Sequence, residues 1–254
     1  MALDVALLGA AGAGLIILNV SGTLTVNGTI SAVGATGASA SGGAGGGGVK
    51  ITADTIAGTP TSFTVAGGDS GSSSGNGGGG GGCVLLSYTT SNSLSPTSSY
   101  FVMGGGTGNA NRGGAGVVYV KKTNTNGDLY SINSGSGTTI SQQGATSIVA
   151  DSLTMATSST YTIPSGKTLD LRNGSPFNAG DATGILRINS SGTFTPTTTG
   201  NFTVASSTLL AYSGSTITAS TSISLVIDYG GTLSQGTYTS STSALTFSTI
   251  TVQN

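Results

Sequence analysis

The 254-residue chain contains no His, no Trp and no Glu, and it sets only seven Lys and Arg against eight Asp. Without imidazole there is no Ser-His-Asp or Cys-His pairing, no histidine general base and no zinc site of the usual kind. A net charge of −1 with seven cations gives no electrostatic grip on nucleic acid or anionic lipid. One cysteine, Cys83, excludes an internal disulfide. It is followed by Val84-Leu85-Leu86, so it reads as a small buried hydrophobe ahead of an interchain cross-link. A positive mean hydropathy of +0.21 with 6% charged residues is wrong for ordinary disorder, which combines low hydrophobicity with high net charge. Long apolar runs are missing too. Leu3 to Leu18 is interrupted by Asp4, Gly9, Gly12 and Gly14 and has no basic residue ahead of it, which suits neither a signal peptide nor a spanning helix. The expectation is a buried strand at Leu15–Leu18 after a loop or an atypical end segment. An export signal is then absent from this chain, not needed, or part of a longer precursor.

Glycine is abundant, at 45 residues, and it is periodic. Gly42 through Gly48 leads into Val49-Lys50-Ile51, Gly77 through Gly82 into Cys83-Val84-Leu85-Leu86, and Gly113-Gly114-Ala115-Gly116 into Val117-Val118-Tyr119-Val120. The starts at Val49, Cys83 and Val117 are 34 residues apart both times. Each glycine stretch is entered by a second β-prone run, at 29–34, 62–67 and 100–104. The unit is strand, glycine-rich excursion, strand, polar turn. Such a unit cannot bury its apolar face alone, and stacked neighbours bury a continuous core. Val49, Cys83 and Val117 are expected to form one ladder, one strand spacing of about 4.8 Å per step.

From about Gln143 glycine gives way to Ser and Thr. Runs such as Thr168-Leu169-Asp170-Leu171-Arg172 and Ile185-Leu186-Arg187-Ile188 alternate with the period of a half-buried strand. Strand starts recur at Gly166-Lys167-Thr168, Gly192-Thr193, Gly214-Ser215-Thr216 and Gly231-Thr232. These uneven intervals suit irregular solenoid coils better than propeller blades of about 40–50 residues; an antiparallel sandwich is the competing architecture. No helix is expected, because Thr, Val, Ile and Gly dominate every window.

The glycine runs admit two readings. One is a flexible Gly/Ser linker. The other is an extended threefold helix, about 3.1 Å per residue, packed side by side with its copies. The packed reading concerns Gly45, Gly46, Gly47 and Gly48; Gly77, Gly78, Gly79, Gly80, Gly81 and Gly82; and Gly113, Gly114 and Gly116. The repeated register favours it, since a linker gains nothing from periodicity.

Catalytic chemistry is hard to place. The eight Asp residues (4, 54, 69, 128, 151, 170, 181, 228) include no adjacent pair, whereas glycoside hydrolysis needs two carboxyl groups about 5–10 Å apart. Asp170 and Arg172 share a strand face and read as a solvent-side ion pair. Asn124-Thr125-Asn126-Gly127-Asp128 echoes a calcium loop without a closing Glu, and Asn126-Gly127 reads better as a tight turn. Tyr88, Tyr100, Tyr119, Tyr130, Tyr161, Tyr212, Tyr229 and Tyr238 offer sugar-stacking faces or core packing. Sequons stand at Asn19, Asn27, Asn173, Asn189 and Asn201, possible glycosylation sites of a surface protein.

The stretch Ile17-Leu18-Asn19-Val20-Ser21-Gly22-Thr23-Leu24-Thr25-Val26-Asn27-Gly28-Thr29-Ile30, followed by glycine blocks, resembles the right-handed parallel β-helix surface proteins of bacteria and archaea. It is similar as well to filamentous adhesins and to phage tail adhesins with polyglycine segments. The resemblance implies an extracellular or cell-surface location (a virion surface being the alternative) and an adhesive or filament role.

The expectation is an all-β parallel β-helix or solenoid, with polyglycine-type excursions in residues 1–142 and a Ser/Thr-rich continuation in 143–254. It has no catalytic residue, cofactor or metal, and no partner nucleic acid or membrane span. Uncapped ends suggest a head-to-tail homopolymer, a structural filament or surface layer. A carbohydrate-binding adhesin recognising surface glycans is the alternative, and a polysaccharide-cleaving enzyme ranks third.

Overall fold

A computed structural model describes all residues except 1–9, 39–40, 72–76, 100, 105–112, 133–138, 144, 156–158, 173–177, 180–183, 197–199, 205–207, 213, 219–222, 228–231, 237–244, 247–248 and 253–254. Asp4, Asp181, Asp228, Asn173, Tyr100, Tyr229 and Tyr238 therefore lie outside the described residues. The described chain is all-β, without a helix. It divides into two compact units, residues 1–118 with 132–139, and residues 119–131 with 140–254.

The first unit holds β1 (Leu15–Thr25), β2 (Thr29–Ser31), β3 (Gly48–Ala57), β4 (Ser62–Thr64), β5 (Cys83–Asn92), β6 (Phe101–Val102) and the start of β7 (Gly116–Lys122). Odd and even strands sort into two sheets, ordered β1-β3-β5-β7 and β2-β4-β6. The β1–β3–β5 and β2–β4–β6 pairings are parallel. Hydrophobic side chains stand one above another: Ile16, Val49 and Val84 share one column, and Leu18, Ile51 and Leu86 the next. Ile51 and Leu86 are fully buried. In the other sheet Phe63 stacks on Phe101 with ring centroids 4.7 Å apart.

The second unit holds β8 (Gly127–Ile132), β9 (Thr139–Gln142), β10 (Ser147–Met155), β11 (Ser159–Ile163), β12 (Thr168–Leu171), β13 (Asn178–Ala179), β14 (Ile185–Ile188), β15 (Thr193–Pro196), β16 (Gly200–Val204), β17 (Thr208–Tyr212), β18 (Thr216–Thr218), β19 (Ile223–Ile227), β20 (Thr232–Gly236), β21 (Leu245–Thr246) and β22 (Thr249–Val252). Three orders run through it: β8-β10-β12-β15-β18-β21, β9-β11-β14-β17-β20 and β16-β19-β22, with β13 beside β10. From β15 to β22 successive strands enter these three sheets in strict rotation, and each except β16, which heads its sheet, pairs in parallel with the strand three places earlier. Alternation supplies the core. β12, β14 and β15 each bury every second residue, so Leu169 sits between Ile148 and Phe194, and Leu186 between Tyr161 and Leu209.

The turns stack as well. Gly166, Ser191 and Gly214 have φ of 70°, 60° and 78°, and each lies two residues before a member of the Thr168–Thr193–Thr216 column. Gly166 N donates to Ser191 O at 3.0 Å, and Ser191 N to Gly214 O at 2.9 Å. Ser191 bears a left-handed cost of about 1–2 kcal/mol that glycine avoids, held in place by the turns on either side.

Thr232 pairs with Thr208, in a different sheet from Thr216. Two expectations change. Leu15 and Ile17 are not buried: they are 65% and 53% exposed, because alternation turns them outward. Asn124, and not Gly127, takes the positive φ in the turn before β8 (62°); Gly127 is already in the strand.

The Tyr161 ring is fully buried and its hydroxyl has no hydrogen-bond partner among the described residues. Burial raises its pKa far above the usual phenol value. The folded protein thus holds Tyr161 neutral, while the unfolded chain ionises it near pH 10. This contribution to stability is complete below about pH 10 and falls as pH rises beyond it. Tyr161→Phe is expected to match or exceed the parent at pH 8, by up to about 1 kcal/mol, and to lose less stability by pH 11. Urea midpoints across that range test it; identical alkaline losses in both proteins would refute it.

Candidate functional site

The feature that distinguishes the first unit is what happens between its strands. Two sets of glycine-rich segments leave and re-enter the sheets: outgoing runs at 32–37 and 65–71, and return runs at 11–14, 42–48, 77–82 and 113–116. Their backbones bond directly to one another. Gly43 and Gly46 donate to Gly77 O and Gly80 O on the next return run at 3.0 and 2.8 Å. Ala44 and Gly47 donate to Ala35 O and Ala32 O on the preceding outgoing run at 3.0 and 2.9 Å. Gly79 and Gly82 donate to Gly68 O and Val65 O, Gly68 and Gly71 to Ala44 O and Ser41 O, and Gly34 and Gly37 to Ala66 O and Asp69 O. Every such pair is three residues apart on both strands of the contact. That is the period of an extended threefold helix. Runs of the same sense bond with residue numbers rising together, whereas outgoing and return runs bond with them opposed. The lattice therefore interleaves parallel and antiparallel neighbours.

Close approach explains the composition. A Cβ on Gly79 would lie 1.8 Å from Ala44 O, one on Gly81 1.7 Å from Met103 O, and one on Gly113 1.8 Å from Gly79 O. Gly46, Gly47 and Gly82 would meet Val65 O, Gly14 O and Gly47 O at 2.0, 2.1 and 1.8 Å. Gly45 and Gly80 differ, since their nearest atoms would be 3.9 Å away. Among the other glycines singled out from sequence, Gly77 and Gly114 accept bonds from Gly43 and Gly81. Gly78 is half-buried, Gly48 opens β3, and a Cβ on Gly116 would crowd Met103.

The expected Val49–Cys83–Val117 ladder is displaced by one residue at its first member. Cys83 pairs with Gly48, which pairs with Leu15, while Val49 pairs with Val84. Val117 N donates to Gly82 O at 3.0 Å as Cys83 N does to Gly47 O at 3.1 Å, so Val117 keeps its place over Cys83. The shift arises because Gly48 belongs to the strand as well as to the run. Cys83 is also exposed, contrary to the buried reading. Val84 and Leu86 take the inner face at 3% and 0% exposure, which turns Cys83 outward.

The polar candidates stay apart. Asp170 and Arg172 form an ion pair at 2.7 Å. Thr89 Oγ1 donates to Asp54 at 2.7 Å, and Ser152 Oγ donates to Asp128. No local pattern hinted at the part played by Tyr119: its hydroxyl accepts from Gly127 N at 3.0 Å and donates to Val149 O at 2.7 Å. Burial first, and then the carboxylates of Asp151 and Asp128, raise its pKa against the lowering effect of the Gly127 bond. Tyr119 thus clamps the turn before β8 onto β10, where Asp151 is the extra residue of a bulge. Of the sequons, Asn19 is exposed on β1, Asn27 Oδ1 accepts from Thr59 N at 3.2 Å, and Asn189 is half-buried at a turn. Asn201 pairs with Ser224. Among the described residues no three His, Cys, Asp or Glu side chains converge as a metal site, and no helix is long and apolar enough to cross a membrane.

Compared with known proteins, the chain matches no family model, no curated protein and no solved structure.

Gly79→Ala is expected to destabilise the first unit by about 1–3 kcal/mol through overpacking. Gly80→Ala, whose Cβ would meet Gly114 N at an ordinary 3.9 Å and which has no positive φ, is expected to be neutral or to stabilise by up to about 1 kcal/mol. Denaturant unfolding of both variants, with amide exchange read at Gly43, Gly46, Gly79 and Gly82, checks this. Equal effects of the two substitutions, or immediate exchange at those amides, would contradict a packed lattice.

Proposed function

We propose that the chain is a non-enzymatic structural subunit of an extracellular filament or surface layer. In this reading it winds as a β-solenoid, and its copies associate by continuing the stack of strands from one subunit to the next. One observation carries it: strand after strand pairs in parallel with its counterpart one repeat away, and the first and last strands, β1, β2, β20, β21 and β22, have a neighbour on one side only among the described residues, as β6, β9, β13 and β16 do within the chain. A parallel stack has no intrinsic stopping point, and an unpaired edge recruits another chain. The rotation of strands through three sheets supports the solenoid. Two further features suit a structural role. Asp54, Asp128 and Asp170 are engaged in local pairs with Thr89, Ser152 and Arg172. The glycine lattice is held by bonds from backbone to backbone.

Assembly should depend on concentration and little on ionic strength, because so few charges are present to be screened. Analytical ultracentrifugation and electron microscopy of the full chain are expected to show elongated oligomers growing with concentration. Strictly monomeric behaviour at high concentration would overturn the proposal.

A carbohydrate-binding adhesin is the second reading. It is favoured by the column Ser147–Thr168–Thr193–Thr216, which places hydroxyl groups at strand spacing along one sheet, and by the half-exposed Tyr130 and Tyr212. Tyr161 is excluded from that role by its burial. Glycan-array binding that disappears in Tyr130→Ala or Tyr212→Ala would promote this reading, and an array without signal would remove it.

A further inference from the structure

Among the described strands β1 is the longest, 11 residues, and it heads its sheet with β3 as its only neighbour among the described residues. Its inward residues Ile16, Leu18, Val20 and Leu24 are only half-buried, whereas their partners one step along, Val49, Ile51, Ala53 and Ile56, are 2%, 0%, 3% and 0% exposed. The core is thus left open on one side. Leu15 and Ile17 add two large exposed apolar side chains to its outer face. Edge strands are ordinarily protected by charges or proline. The sequence LIILNVSGTLT has neither, and its one irregularity is the bulge between Val20 and Thr23.

From this edge we infer that β1 pairs with β1 of a second copy, antiparallel, about a two-fold axis normal to the sheet. The inference rests on the end-to-end assembly proposed above and names one of its contacts. Length selects the partner. The terminal strands of the second unit, β20, β21 and β22, have 5, 2 and 4 residues, and each would satisfy less than half of β1. Another β1 matches it residue for residue. Two identical strands paired along the same edge about such an axis must run antiparallel, and the contact is self-complementary. Only with Val20 on the axis do all eleven residues pair. Inner residues then meet inner residues: Ile16 lies opposite Leu24 of the second copy, while on the outer face Ile17 lies opposite Thr23. This register closes the open core with the other copy's apolar face. This contact is of like with like, so it replaces the head-to-tail arrangement at this edge.

The test uses the full chain carrying Cys83→Ser, with Ile17→Cys plus Thr23→Cys and, as the control, with Ile17→Cys alone. Across an antiparallel pair the facing Cα atoms are about 4.5–5.5 Å apart, within disulfide reach. Mild oxidation is expected to give a covalent dimer from the double variant and not from the single one, whose two thiols are far apart along the paired strands. Ile17→Lys, a surface change that leaves the circular dichroism spectrum intact, is expected to weaken association at least tenfold. Larger assemblies that form without a cross-link in the double variant overturn the β1–β1 contact while leaving end-to-end assembly standing. A parent chain that sediments as a monomer throughout overturns both.

Discussion

Everything in this protein depends on one backbone hydrogen bond repeated at the spacing of neighbouring chains. In the sheets it joins parallel strands, and apolar columns such as Leu18–Ile51–Leu86 add the hydrophobic burial that makes the pairing stable. In the glycine lattice the same bond acts without that help. Each backbone bond contributes about 0.5–1.5 kcal/mol net, while ordering each residue costs roughly 1–2 kcal/mol. Glycine runs alone would therefore stay unfolded. Each outgoing run leaves a strand and each return run leads into one, so the sheets hold the runs in the register in which their backbones bond.

Much of this was legible in the residues. The interval of 34 between glycine stretches put the runs in a common register, and the alternation in Thr168–Leu171 and Ile185–Ile188 identified the inward side chains. What was illegible had physical causes. Gly48 has no side chain to show which face of a strand it occupies, so the boundary between run and strand was placed one residue late and Val49 entered the wrong column. Cys83-Val84-Leu85-Leu86 is apolar throughout and hides its own alternation, so nothing in it marked Cys83 as outward. Gly214-Ser215-Thr216 and Gly231-Thr232 look alike as strand starts, yet Thr216 and Thr232 pair in different sheets. The partnership of Tyr119 with Gly127 and Val149 spans stretches of chain that no single periodicity connects.

The threefold bonding of the lattice also divides its positions into unequal classes. Two residues in each turn point a hydrogen atom at a neighbouring carbonyl and can be nothing but glycine or, at sites such as Ala44, a methyl. The third, represented by Gly45 and Gly80, faces outward with room to spare. Substitution at these two positions leaves the framework intact, whereas Gly42, three residues before Gly45, would bring a Cβ to 3.1 Å from Gly77 O. A scaffold that separates what holds it together from what it displays is free to diversify its surface quickly while its interior stays fixed.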